Sequence, residues 1–160
     1  AKDRAALVKF QRKVARLQQA VMSVNATIDD ANKQIAVIEK AALTAVGADK
    51  SLIEKVRQLK TQVSAIQRAM TGDRTLAKRN ENQTPPVTDR LQYIIDGTWE
   101  TTSEPTQSQQ DAYKIATEQF TPALAQLKTL IETDIKSIED QLEKLDAPWT
   151  PGRLPDWKME

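Results

Sequence analysis

Cysteine and histidine are both missing from this chain of 160 residues. Their absence removes thiol and imidazole nucleophiles, the histidine general base, and nearly every zinc, haem or iron–sulfur ligand set; most enzyme classes go with them. The redox compartment stays open, because a long helical domain needs no disulfide in either environment. Glycine occurs four times and never as a pair, so no glycine-rich phosphate loop can be built. All seven prolines follow residue 84, and nothing before that point interrupts a helix. Strand signals are absent. No apolar run approaches the length of a membrane span, and residues 1–30 lack the apolar centre of a signal peptide, which predicts a soluble chain.

What the chain does have is rhythm. From Leu7 the apolar positions run Phe10, Val14, Leu17, Val21, Val24, Ile28, Ala31, Ile35, Ile38, Ala42 and Ala45, an alternation of three and four that marks a helix packing along a seam. At 1.5 Å per residue the stretch would reach about 58 Å, the length of a rod. A second run of Leu52, Val56, Leu59, Val63, Ile66 and Met70 keeps the same period, with Asp49 or Ser51 at its start and Ser51 and Glu54 spaced as a capping box. Gly47 and Gly72 follow these runs, Gly97 follows a short apolar cluster, and Gly152 lies in the tail.

Residues 71–86 read as a polar connection. A short helix then carries Val87, Leu91, Ile94 and Ile95, and a last one opens at Thr106 with Gln109 three residues on, another capping-box spacing. Its apolar positions are Tyr113, Ala116, Phe120, Leu124, Leu127, Ile131, Ile135, Ile138, Leu142 and Leu145, partly closer to an eleven-residue period than to a heptad. Pro122 lies inside this pattern and implies either a bend or a restart capped by Thr121. The expected fold is therefore all-α: one domain over 1–160, an elongated antiparallel bundle of three to four helices at about 3–46, 50–71, 86–96 and 106–146, with an extended Pro/Trp tail at 147–160. Opening in mid-pattern at Ala1 without a methionine, it reads as a piece of a larger protein.

The net charge of +1 hides a division: residues 1–80 are +9 and residues 81–160 are −8. Lys2, Arg4, Lys9, Arg12, Lys13 and Arg16 form the densest basic cluster, a candidate contact for nucleic acid or anionic surfaces. Neutralisation by the acidic half, with the first helix beside the last, is the favoured reading, because nucleic-acid arms usually lack such a balancing partner; only Phe10 interleaves the basic half with an aromatic ring, and no nucleic-acid partner is expected. Glu132, Asp134, Glu139, Asp140 and Glu143 form the densest acidic group and are expected on a solvated face rather than as an acid–base pair. No calcium-loop pattern occurs, and neither a metal nor another cofactor is expected. Trp149 and Trp157 in the tail could cover the bundle or dock on another domain, and Arg153 between two prolines is a candidate ion-pair partner. Seam positions left uncovered could face a second copy of the chain, although the last helix is nearly long enough to cover them.

Arg90-Leu91-Gln92-Tyr93-Ile94-Ile95, Gly97-Thr98, Glu104-Pro105-Thr106, Tyr113, the Leu124 and Leu127 pair and Ala147-Pro148-Trp149-Thr150-Pro151-Gly152-Arg153 resemble the C-terminal segment of large bacterial proteins with sortilin-like (VPS10/BNR-repeat) β-propellers, often labelled glycosyl hydrolases. The resemblance covers roughly residues 87–157; residues 1–80 match only as heptad helix. It implies a periplasmic or extracellular location and a propeller domain of the same parent protein as partner. Any ligand or glycan site would belong to the propeller, so no catalytic residue transfers to this chain. The expected role is a non-catalytic C-terminal accessory or association domain, with a basic module for nucleic acid or anionic surfaces, and part of a glycosyl hydrolase, as the alternatives.

Overall fold

The heptad rhythm folds into α1 (Lys2–Thr44) and α2 (Lys50–Thr71) in a computed structural model that describes residues 2–99 and 103–145. Beyond them lie α3 (Arg74–Lys78), α4 (Val87–Trp99), α5 (Gln107–Thr129), a π-helical turn (Leu130–Ile135) and α6 (Lys136–Lys144). No strand occurs among the described residues, and the architecture is an all-α helical bundle. The chain divides into two compact units, drawn from the described residues within Ala1–Thr27 and Ala65–Gln126 and from those within Ile28–Ser64 and Leu127–Glu160.

In the first unit, Leu7, Phe10, Val14, Leu17, Val21 and Val24 of α1 are buried together with Ile66 and Met70 of α2, Val87, Leu91 and Ile94 of α4, and Ala116, Phe120 and Ala123 of α5. Phe10 meets Tyr113 edge to face, with ring centroids 5.9 Å apart and planes at 67°. The polar connection is more ordered than its composition predicts. Asp73 accepts from the backbone N–H of Thr75 and Leu76 and so caps the five-residue α3, a signal masked in the sequence because Leu76 is the only large apolar residue nearby. Thr106 and Gln109 form the expected reciprocal box: the Thr106 N–H donates to Gln109 Oε1 at 3.1 Å, and the Gln109 N–H to Thr106 Oγ1 at 3.2 Å. Gly97 does not end α4 but lies inside it, where a Cβ would come within 2.6 Å of Gln109 Nε2. Glycine is there for the approach of a capping side chain. Pro122 neither restarts nor ends α5, and its missing N–H falls on an exposed face where water can serve the freed carbonyl.

In the second unit, Ile28, Ala31, Ile35, Ile38, Ala41 and Ala42 of α1 pack with Leu52, Val56, Leu59 and Val63 of α2 and with Leu127, Leu130, Ile135, Ile138 and Leu142 of the last helical segment. Each large side chain so enclosed contributes about 1.5–3 kcal/mol relative to exposure. Gly47, at φ 90°, closes the α1–α2 turn, and α2 returns beside α1 so that Lys60 Nζ reaches Glu39 Oε2 at 2.8 Å. Asp49, not the Ser51–Glu54 pair, caps α2: the Leu52 N–H donates to Asp49 Oδ1 at 2.9 Å.

The last helical segment departs from the expected spacing in an instructive way. Its buried positions Phe120, Ala123, Leu127 and Leu130 follow the 3-4-3 heptad rule, then Ile135, Ile138 and Leu142 resume it after a gap of five. One residue too many has entered the seam. The π-helical turn absorbs it, because a wider turn places position i+5 where an α-helix would place i+4. Leu130 rather than Ile131 consequently faces the core, and Ile131 is half-buried.

Eleven of the twelve expected seam positions of α1 are buried within this one chain, Ala45 alone being half-buried in the turn. That corrects the idea of an uncovered seam: a second copy would have to meet other surfaces.

Candidate functional site

Helical geometry gives α1 two unlike sides. At about 100° per residue, Arg12, Arg16 and Lys9 project roughly opposite the line of Leu7, Phe10, Val14 and Leu17, while Arg4 and Lys13 fall on the two opposite flanks. All five cations are exposed, and Val8, 39% exposed, lies among them. Among the described residues none of the five has a carboxylate within 4.0 Å. Among the described residues the internal neutralisation favoured by the sequence therefore finds no ion pair at this cluster. The ion pairs that do form, Lys60 with Glu39, Arg57 with Glu54 and Arg79 with Glu81, lie elsewhere. Arg4, Val8, Lys9, Arg12, Lys13 and Arg16 border an open depression of about 660 Å³. Every described residue that lines it belongs to α1.

The acidic group is not uniformly solvated. Glu132, Asp140 and Glu143 are exposed and Asp134 is half-buried, but Glu139 is buried to 5% exposure. Its Oε1 accepts a 2.7 Å hydrogen bond from Gln34 Nε2 of α1. Glu139 directly follows the seam residue Ile138, and nothing in its sequence position distinguishes it from its solvated neighbours. No group of three or more Asp or Glu among the described residues is gathered closely enough to hold a metal ion. No helix among them is long and apolar enough to cross a membrane.

Several residues of the resemblance have structural work. Arg90 Nε donates to Gln119 Oε1 at 3.1 Å, and Gln119 Nε2 donates to the Pro85 carbonyl at 3.2 Å, which ties the entry of α4 to α5. Tyr113 packs on Phe10, and Thr106 caps α5. Tyr93 is 54% exposed and, of the two described rings in this set, is the one that faces solvent. Trp149, Arg153 and Trp157, the sequence-derived interaction residues, lie outside the described residues together with the rest of the expected tail. Comparison with protein-family models, with curated proteins and with solved structures finds no match to this chain.

Proposed function

We propose that this chain is a non-catalytic accessory domain that works by contact, the C-terminal helical part of an exported β-propeller protein. The observation that carries the contact reading is the two-sidedness of α1: an apolar side closed by its own chain, and a polar side displaying cations on a convex surface. Convex displayed charge suits association with a partner, whereas catalysis asks for groups converging in a concave, partly dry site. The link to a propeller is supported by the motif residues from Arg90 to Arg153, with Trp149, Arg153 and Trp157 as the residues proposed to meet it. A periplasmic or extracellular location belongs to the same proposal.

Sequencing the coding frame upstream of Ala1 tests the propeller link. Tandem propeller repeats in frame are the expected result, and an initiation codon at this point would overturn it. For the contact role, truncation of the parent before this domain is expected to leave its ligand binding or hydrolysis intact while abolishing an assembly seen with the full protein. Loss of hydrolysis restored by adding back the separate domain would instead assign the domain to the hydrolase.

A further inference from the structure

The cations of α1 hold a charge that a purely internal scaffold leaves unused. Residues 1–28 contain six Lys or Arg and a single acid, Asp3. Lys9, Arg12, Lys13 and Arg16, all exposed, stand three or four residues apart within about 10 Å of helix, so neighbours lie within a Debye length of about 8 Å and repel one another in physiological salt. No ion pair among the described residues relieves that repulsion. An anionic surface that approaches from outside, along the side of α1 carrying Lys9, Arg12 and Arg16, complements them. A single-stranded nucleic acid would use aromatic platforms for its bases, yet the only ring in this stretch, Phe10, is buried against Tyr113. A plane of lipid headgroups asks only for a one-sided row of cations. Val8 among the cations adds apolar area at the same level, and the long Lys and Arg stems let their charges reach sideways to phosphates.

We infer that the outer side of α1 from Val8 to Arg16, led by Lys9, Arg12 and Arg16, docks on the headgroups of an anionic lipid bilayer. Contact is peripheral: the apolar side of α1 is committed to the bundle core and does not insert. This inference stands on the stripe alone and is independent of the propeller link.

Vesicle co-sedimentation of the full 160-residue chain tests it, with vesicles of phosphatidylcholine alone and with about 30 mol % phosphatidylglycerol. The unsubstituted chain is expected to sediment with the anionic vesicles in about 50 mM salt, to be released in about 500 mM, and to ignore phosphatidylcholine. Arg12→Gln combined with Arg16→Gln is expected to lower partition about thirtyfold, the factor two surface cations carry. Lys33→Gln with Lys40→Gln, an equal charge change at exposed positions farther along α1, is expected to leave partition within about threefold, the residue of long-range attraction. Absence of anionic-vesicle binding in low salt overturns the inference, as does equal loss from both double variants. Tighter retention on a short DNA duplex than on the anionic vesicles at the same salt would replace the bilayer with nucleic acid. The salt series uses the unsubstituted chain, so it decides even if a variant misfolds.

Discussion

Gln34 Nε2 and Glu139 Oε1, 105 positions apart in the sequence, meet at 2.7 Å. A carboxylate buried to 5% exposure beside the seam would otherwise give up its hydration for little, and the Gln34 amide is one of the groups that replace it. Gln34→Ala is expected to destabilise the chain by about 1.5–3 kcal/mol, the range for a hydrogen bond to a carboxylate. Chemical denaturation measures this. Gln58→Ala, at an exposed position on α2, is the control and is expected to change stability by less than about 0.5 kcal/mol. Equal effects would mean that the Gln34–Glu139 contact contributes nothing specific.

The π-helical turn gives a sharper expectation. Removing Glu132, an exposed residue inside the turn, shortens the gap from Leu130 to Ile135 from five to four and restores an unbroken 3-4 rhythm. The shortened chain is expected to fold with undiminished helical circular dichroism and a melting temperature at or above that of the parent. Removing Lys55 from α2 is expected to unfold it, because every later seam residue turns by about 100° out of the core. If the Glu132 deletion unfolds the chain as well, the extra-residue explanation of the π turn is wrong.

Gly97 and Gln109 are coupled in a way that stability measurements can isolate. Alanine at an exposed helical glycine ordinarily gains about 1 kcal/mol. Here the new Cβ would displace the Gln109 side chain, which holds one arm of the α5 capping box, so Gly97→Ala alone is expected to gain less than about 0.5 kcal/mol. In a Gln109→Ala background the same substitution is expected to recover the full gain. A double-mutant cycle with no coupling energy would contradict the contact.

The parts legible in the sequence are those in which period alone decides the outcome. The seam from Leu7 to Ala42 and the second run from Leu52 to Met70 are buried as their spacing predicts, because a long helix has one way to place a 3-4 pattern against a core. Where two neighbouring residues both suit the core, period fails: Leu130 and Ile131 are equally apolar, and only the packing of later positions selects Leu130. Period also does not place Gly97, because glycine at a helix end and glycine under a neighbouring side chain look alike in sequence. The basic cluster is legible in the sequence, but that no described carboxylate pairs with it is not. Net charge totals say nothing about direction, and Lys9, Arg12 and Arg16 turn outward, with no carboxylate of the described residues within 4.0 Å. Glu139 is the converse case, an acid drawn into the core edge by its place next to Ile138.

A separation of α1 into a self-closed apolar side and an outward cationic side underlies the proposed role. Multi-angle light scattering of the purified chain in about 500 mM salt, where cationic contacts are screened, measures that closure most directly. The expected result is a mass of 17.9 kDa that does not change between low and high micromolar concentration. A dimeric mass that persists in high salt and is lost on Val21→Asp would contradict it, because the seam would then be completed by a second chain.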